Sequence, residues 1–256
     1  MKIIKAGYQI LKPDMDDPKT SIDICKAIEQ AGRTCYKSED KITDDSAEKF
    51  VRKVVQNGHG AMLEHAFMTV KFTVDRGISH EFVRHRLASF AQESTRYCNY
   101  SKDKFSNEIT VIEPCFYADI PEDLKSWARE YIRGWTRPIE AGRFNTVLTT
   151  KMVLYADLLI RYADWYTACI AAERAYMDML KKGATPEEAR SVLPTSLKTE
   201  IVITANMREW RHMFKLRAAG ETGKPHPQML EVMVPLLNEC KMQMPALFGD
   251  ISAKED

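Results

Sequence analysis

The sequence predicts an α+β fold, with helices packed around a mixed or antiparallel central sheet. Residues 68–74 alternate with period two, which places Val70, Phe72 and Val74 on one face of a strand. A β-branched run at 201–204 indicates a second strand. Long stretches between these strands carry apolar residues at helical spacing, which predicts several helices.

Turn and capping signals divide the chain into elements. Asn57-Gly58 ends one helix, and Thr185-Pro186 with Glu188 forms an N-terminal capping pattern for another. The predicted strands are Lys2–Leu11, 68–75 and 197–204. The predicted helices are 21–31, 46–56, a helix from Arg76 into the 84–87 segment, 122–139, 151–182, a short one from Pro186, 206–217 and 227–244. Residues 1–256 show no repeat or flexible linker, so we expect a single domain with a helical insertion at about 120–150.

Composition excludes several classes of protein. Lys plus Arg number 37 and Asp plus Glu 36, so no overall positive field favours nucleic acid. The six cysteines lack a CxxC pair, the N-terminus lacks the apolar core of a signal peptide, and no apolar run approaches a membrane span. We therefore expect a cytoplasmic protein that contacts neither membrane nor nucleic acid.

One stretch, residues 84–97, concentrates polar chemistry. Arg84-His85-Arg86 is followed by Gln92, Ser94 and Arg96 among apolar residues. If 84–87 close a helix, Arg84 and Arg86 point to nearly opposite sides. Beyond Ser89 an extended chain would place Gln92, Ser94 and Arg96 on one face, where an amide, a hydroxyl and a guanidinium suit a nucleotide phosphate. A solvated basic surface is the alternative.

Other familiar sites are missing from the sequence. His80 and His85 do not match the spacing of a HExxH zinc motif, and no metal site is predicted. Cys115 lacks a neighbouring base, and Ser94 lies in no GxSxG elbow. Neither GxGxxG nor a P-loop occurs, so side chains must hold any phosphate. The segments 58–65 and 206–217 are either surface helices or parts of a site.

Four separated motifs resemble the flavin-dependent thymidylate synthase family. They are Gly58-His59 through Glu64-His65, Arg84-His85-Arg86 with Ser94 and Arg96-Tyr97, Ala189-Arg190 through Pro194, and Asn206-x-Arg208 through Arg217. The family converts dUMP to dTMP, with methylenetetrahydrofolate as carbon donor, FAD as hydride carrier and NADPH as reductant. It uses no cysteine nucleophile of its own and assembles as a homotetramer with sites shared between subunits.

The resemblance implies a role for each matching residue. Arg217 and His59 would be catalytic, with His59 beside the flavin where folate stacks. The dUMP site would comprise Glu81, Arg84, Gln92, Glu93, Ser94, Thr95, Arg96, Arg190 and Arg217. The FAD site would comprise Cys35, Ala61, Arg84, His85, Arg86, Gln92, Asn206, Arg208, His212, Leu216 and His226.

This chain departs from the family pattern at three of these positions. Position 81 is Glu where relatives carry Gln, position 92 is Gln where they carry Glu, and position 212 is His where Asn also occurs. The first two departures are interpreted as an exchange of an acid and an amide.

A function of another class stays open. The chain could be a non-catalytic nucleotide-binding or RNA-binding module that binds a phosphate backbone through these arginines. The near-zero net charge argues against this alternative.

Overall fold

A computed structural model describes residues 1–134 and 151–253 of the chain. These residues form two compact units. The sheet unit comprises Ala6–Glu93 and Thr199–Asp256, and the helical unit comprises Met1–Lys5 and Ser94–Lys198. The single-domain organisation stays a prediction, and the predicted insertion falls largely on residues 135–150, outside the described ranges.

The described strands lie in two sheets. They are β1 Lys2–Ile4, β2 Gly7–Lys12, β3 Phe67–Asp75, β4 Ala88–Gln92, β5 Thr110–Ile112 and β6 Lys198–Asn206. The sheet unit contains a four-stranded sheet in the order β2-β3-β6-β4, in which β2 pairs antiparallel with β3 and β4 antiparallel with β6. The helical unit contains β1 paired parallel with β5. The predicted α+β class is confirmed.

The helices follow the predicted order. They are α1 Thr20–Tyr36, α2 Ser46–Gln56, α3 Arg76–Phe82, α4 Glu122–Gly134, α5 Ala156–Lys181, α6 Pro186–Ala189, α7 Met207–Arg217, α8 Pro227–Gln243 and α9 Pro245–Phe248. Residues 151–154 are also helical, and a break at Tyr155 separates them from α5. Within the ranges 1–134 and 151–253, no helix combines the length and the apolar character that a bilayer crossing requires.

The core of the sheet unit forms around β3. Met68, Val70, Phe72 and Val74 are almost completely buried, as the period-two pattern predicts. Trp210 of α7 lies in the same core and donates its indole N–H to the backbone oxygen of Met68 at 2.9 Å. This bond anchors α7 to the sheet, and α7 carries four of the predicted site residues, Arg208, His212, Leu216 and Arg217.

Two predictions of local structure are wrong. The single strand Lys2–Leu11 is two strands, because residues 2–4 pair with 110–112 while residues 7–12 pair with 69–73. The helix that begins at Arg76 ends at Phe82, and residues 84–87 form turns before β4 pairs with β6. Helical rotation therefore does not set the directions of Arg84 and Arg86.

Candidate active site

Arg217, the last residue of α7, is the centre of a hydrogen-bonded cluster in the sheet unit. Its Nη1 donates to Oε2 of Glu81 at 2.7 Å, and its Nη2 donates to the Glu81 backbone oxygen at 3.3 Å. Its Nε donates to Nε2 of His85 at 3.2 Å. The end of α3 supplies Glu81, and the following turn supplies His85. These contacts hold the guanidinium in one orientation, with a carboxylate on one edge and an imidazole on another.

His85 is neutral in this cluster. The side chain is only 4% exposed, and Nδ1 lies 3.3 Å from Oε1 of Glu209. Burial, followed by electrostatic interactions with Arg217, His212 and Arg84, lowers the pKa of His85 from 6.5 to about 4. Because Nε2 accepts from Arg217, the proton lies on Nδ1, which faces the Glu209 carboxylate. Burial in turn raises the pKa of Glu209.

A third side chain approaches this pair. The His212 ring meets the His85 ring edge-on at 5.9 Å between centroids. Ligand atoms of His85, Glu209 and His212 lie within 4.8 Å of one another, a geometry that could hold a metal ion. Nε2 of His85 already accepts a hydrogen bond from Arg217, whose cation adjoins the group. We therefore describe a hydrogen-bonded network, and a metal-free site stays a prediction.

The start of α7 joins the segment that contains His59. Asn206 caps the helix by accepting from the Glu209 N–H at 2.8 Å. Arg208 forms an ion pair with Glu64 at 2.6 Å. A Cβ at Gly60 would lie 2.9 Å from Nε of Arg208, so the Arg208 side chain passes close to the Gly60 backbone. The structure thus brings two of the predicted motifs together.

The remaining predicted flavin residues lie on the surface or at its edge. Arg84, Arg86, His59 and Ala61 are exposed, and Leu216 is half-buried. Within residues 1–134 and 151–253, neither Arg84 nor Arg86 forms an ion pair. The predicted site thus combines two guanidinium groups without an ion pair, those of Arg84 and Arg86, with the hydrogen-bonded guanidinium of Arg217.

Cys35 and His226 lie at helix ends. Cys35 is exposed in the last turn of α1. The His226 side chain caps α8, because Nδ1 accepts from the Gln228 N–H at 3.3 Å. His226 therefore caps a helix. The flavin contacts of Cys35 and His226 stay predictions.

Glu81 and Gln92 do not bond to each other. Glu81 binds Arg217, whereas Nε2 of Gln92 donates to the hydroxyls of Ser79 at 2.8 Å and Thr199 at 3.3 Å. The two departures from the family pattern therefore have separate partners. The interpretation of the two departures as an exchange of an acid and an amide stays a prediction.

The loop that follows β4 is a turn in the helical unit. The Ser94 backbone oxygen accepts from the N–H groups of Tyr97 at 3.3 Å and Cys98 at 2.9 Å, and Ser94 Oγ accepts from the Arg96 N–H at 3.3 Å. The prediction that Gln92, Ser94 and Arg96 share one face of an extended chain is therefore wrong. Local hydrogen bonds turn the chain after residue 94.

The predicted phosphate ligands meet around this turn. Nε of Arg96 donates to Glu187 at 2.6 Å, and both side chains are about half exposed, at 53% and 51%. Nη1 of Arg190 reaches Oγ1 of Thr95 at 3.5 Å. Glu93 precedes the turn, in the sheet unit, and its N–H donates to the Glu200 backbone oxygen at 2.9 Å. Within the helical unit, Thr95, Arg96 and Arg190 are neighbours as predicted.

Sequence reasoning missed two carboxylates that contact predicted site residues. Glu209 binds His85 and Glu187 binds Arg96, but neither was predicted as a site residue. The pattern Asn206-x-x-Glu209 is a capping signal that marks Glu209 as fixed near the helix start. No comparable signal joins Glu187 to Arg96, because they are far apart in sequence.

Comparison with known proteins identifies relatives over most of the chain. A family model described as thymidylate synthase complementing protein matches residues 20–246. The flavin-dependent thymidylate synthase of Corynebacterium efficiens is 30% identical over 230 residues, which cover 89% of this chain and 79% of the relative. That of Corynebacterium aurimucosum is 32% identical over 226 residues, which cover 87% and 78%.

A solved structure shares the fold. The UMP/dUMP methylase PolB from Streptomyces cacaoi, bound with 5-Br dUMP, matches with a TM-score of 0.63 at 20% identity, covering 97% of this chain and 96% of that one. The fold, the four motifs and the family match agree. The chain therefore belongs to the flavin-dependent thymidylate synthase family, which confirms the resemblance and the prediction that the protein is an enzyme of this class.

Proposed function

We propose that this protein methylates dUMP to dTMP, with methylenetetrahydrofolate as carbon donor, FAD as hydride carrier and NADPH as reductant. Its family and the names of its relatives support the reaction class. The observation that carries the proposal is the Arg217 guanidinium, held at once by Glu81 and by neutral His85. A fixed cation of this kind is suited to stabilising negative charge that develops on a substrate oxygen.

The donor set of the sheet unit fits FAD. Arg84, Arg86 and Arg208 offer exposed guanidinium groups for a pyrophosphate, while the buried His85 offers an uncharged ring beside them. Asn206, His212, Leu216, Cys35, Ala61, Gln92 and His226 complete the proposed FAD residues. When bound, FAD supplies the hydride chemistry that amino-acid side chains lack.

Arg217 acts on the pyrimidine. Its positive charge stabilises the negative charge that builds up on a ring carbonyl oxygen when carbon or hydride adds to the ring. Glu81 keeps the guanidinium oriented so that little reorganisation is required during the reaction. His85, as a neutral acceptor, fixes the third nitrogen without adding a competing positive charge.

Arg96 and Arg190 take the dUMP phosphate, with Ser94 and Thr95 as hydroxyl donors. Guanidinium groups bind phosphate bidentately, and two of them balance its double charge. Glu187 pairs with Arg96. A phosphate bound by Arg96 therefore competes with the Glu187 carboxylate.

The carbon transfer needs no cysteine nucleophile from the protein. Cys25, Cys169 and Cys240 are buried, and burial raises the pKa of each thiol, to about 12 for Cys25 and about 11 for Cys169. These thiols stay protonated and unreactive at neutral pH. His59, exposed at the start of the 3-10 helix Gly60–His65, lies beside the folate. The enzyme works as a cytoplasmic homotetramer.

Two measurements test the proposal. The purified protein should be yellow, with the visible absorption bands of an oxidised flavin. It should also release tritium from dUMP labelled at carbon 5 and form dTMP only when methylenetetrahydrofolate, FAD and NADPH are all present. A colourless protein that takes up no added FAD and releases no tritium would contradict the proposal, and RNA binding by such a protein would support the non-catalytic module instead.

A further inference from the structure

A large cationic cavity lies in the sheet unit beside the residues described above. Its volume is about 720 Å³, and it opens between the end of α1 and one face of α2. The lining residues include Arg33, Tyr36, Lys41, Lys49, Phe50 and Lys53, and His59 lies among them. Of the predicted site residues, all of which lie in the described ranges, His59 alone lines this cavity.

The floor of the cavity is a fixed cation on an aromatic ring. Nε and Nη2 of Arg33 donate to Oε1 of Glu29 at 3.1 and 2.8 Å, and Glu29 is buried. The Ser46 hydroxyl donates to the other oxygen of Glu29 at 2.7 Å. The Arg33 guanidinium lies 4.8 Å from the centre of the Phe50 ring. The floor is thus pre-organised and offers both an apolar surface and positive charge.

Exposed lysine side chains add positive charge at the rim of the cavity. Lys49 and Lys53 lie one turn apart on α2, so their side chains share a face. Lys49 pairs with Asp45 at 2.6 Å, whereas within the described ranges Lys41 and Lys53 have no carboxylate partner. The lining therefore holds four permanent cations and one carboxylate, in a chain whose net charge is only +1. A local excess of this kind selects an anion.

We propose that this cavity binds the glutamate tail of the reduced folate, an inference that rests on the proposed function. The tail of a folate begins with an aminobenzoyl ring and continues with separate carboxylates. Tyr36 and Phe50 offer aromatic surface for the ring, and the lysines offer separate point charges for the carboxylates. His59, assigned beside the folate, lines the same cavity, so the tail leads from His59 into the lysine rim.

A phosphate of NADPH or FAD shares the anionic chemistry of the tail. The rim, however, presents dispersed lysines and the Asp45 carboxylate rather than a convergent arginine fork. A dianionic phosphate favours convergent, bidentate donors, whereas a chain of carboxylates suits charges spread along a cavity. The geometry therefore favours the folate tail over either phosphate.

The first test measures binding without turnover. The FAD-loaded protein is titrated by calorimetry with p-aminobenzoyl-pentaglutamate and with p-aminobenzoyl-monoglutamate. We expect about tenfold tighter binding of the pentaglutamate, and a ratio that falls to about twofold in the double variant Lys41→Gln/Lys53→Gln, because exposed charge pairs contribute modestly and additively. Lys26→Gln removes an exposed lysine of α1 outside the cavity and should keep the tenfold ratio.

The second test separates the possible ligands. In the double variant the KM for pentaglutamyl methylenetetrahydrofolate should rise while the flavin content and the KM for NADPH stay unchanged. Loss of flavin, or a raised KM for NADPH with no change in tail preference, would assign the cavity to a phosphate and overturn the inference. Thermal unfolding of each variant shows that the fold is intact.

Failure of this inference is distinguishable from failure of the proposed function. If dTMP forms with equal KM for monoglutamyl and pentaglutamyl folates, and the fragments bind equally, the cavity does not bind the tail, although the reaction stands. If no folate supports dTMP formation, the proposed function fails. Tail-length dependence in the fragment titration would then still establish a polycarboxylate site.

Discussion

At the scale of single residues, three arginines of the site are each held by a carboxylate. Arg217 binds Glu81, Arg208 binds Glu64 and Arg96 binds Glu187. The pairs differ in exposure, since Arg217 is 17% exposed and Arg96 is 53% exposed. The less exposed pair suits a permanent positioning role, and the more exposed pair suits exchange with a ligand.

Arg217→Ala should abolish dTMP formation while the protein keeps its flavin. The substitution removes the cation that stabilises developing charge on the pyrimidine, and removal of such a donor costs about 100- to 1,000-fold in kcat. Tritium release and flavin absorbance are measured on the same sample. Glu81→Gln, which keeps a side-chain acceptor for Arg217, should lose less activity than Arg217→Ala; near-normal turnover by Arg217→Ala would refute the assigned role.

Glu187→Gln should tighten dUMP binding by about two- to threefold, because an exposed ion pair that competes with the phosphate contributes less than about 1 kcal/mol. The dissociation constant is measured by calorimetry. Asp178→Asn removes another exposed carboxylate of the helical unit, paired with Lys181 at 3.8 Å, and should leave dUMP binding unchanged. Weaker dUMP binding by Glu187→Gln would show that Glu187 positions Arg96 instead of competing for it.

Stability should depend on pH through His85. Its pKa is 6.5 in the unfolded chain and about 4 in the folded protein, so between these values only the unfolded chain binds the proton. Acidification from pH 6.5 to 4 therefore destabilises the folded state, by about 3 kcal/mol in total. The contribution is fully present above pH 6.5.

The difference between two proteins isolates this contribution. The free energy of unfolding is measured from pH 7 to pH 4 for the wild type and for His85→Gln. Carboxylates also titrate in this range, and their contributions cancel in the difference between the two proteins. The wild type should lose more stability than the variant. His80→Gln removes an exposed imidazole and serves as the matched control; equal slopes for the wild type and His85→Gln would exclude the effect.

At the scale of elements, local sequence signals set helix starts, and long-range pairing set strand limits. The Thr185 capping box forms as predicted, with the Thr185 hydroxyl accepting from the Glu188 N–H and the Glu188 carboxylate accepting from the Thr185 N–H. The bounds of α2 are also those predicted from Asn57-Gly58. By contrast, β1 and β2 differ from the single predicted strand because their partners are distant in sequence.

Thr185→Ala should lower the free energy of unfolding by about 1 kcal/mol, the typical cost of losing an N-cap. The start of α6 would then be less ordered, and because Arg190 follows α6 directly, the KM for dUMP should rise. Denaturant unfolding and steady-state kinetics measure the two effects. Thr185→Ser keeps a capping hydroxyl and should behave almost as the wild type, whereas an unchanged stability of Thr185→Ala would contradict the capping role.

At the scale of the whole molecule, the protein is expected to be a homotetramer. Sedimentation equilibrium should give four times the chain mass of 29.4 kDa. Dilution that dissociates the tetramer should reduce dTMP formation, because the proposed sites are shared between subunits. A fully active monomer would contradict the prediction.

The sequence by itself determined the α+β class, the order of the helices and the buried face of β3. It also determined the family to which the four motifs belong. These depend on periodicity, capping patterns and residue type, all of which are local. Only the tertiary structure decided that Arg217 binds Glu81 and His85, that Glu81 and Gln92 have separate partners, and that residue 94 begins a turn. It also revealed the lysine-rimmed cavity between α1 and α2.

The physical reason is that hydrogen-bond partners and cavities depend on distances between residues far apart in the chain. Arg217 and Glu81 are separated by 136 positions, and no local pattern records that they meet. The neutral state of His85 likewise follows from burial and from the approach of Arg217, which lies far away in the sequence. Residue types therefore indicated which chemistry was present, and packing decided which groups act on one another.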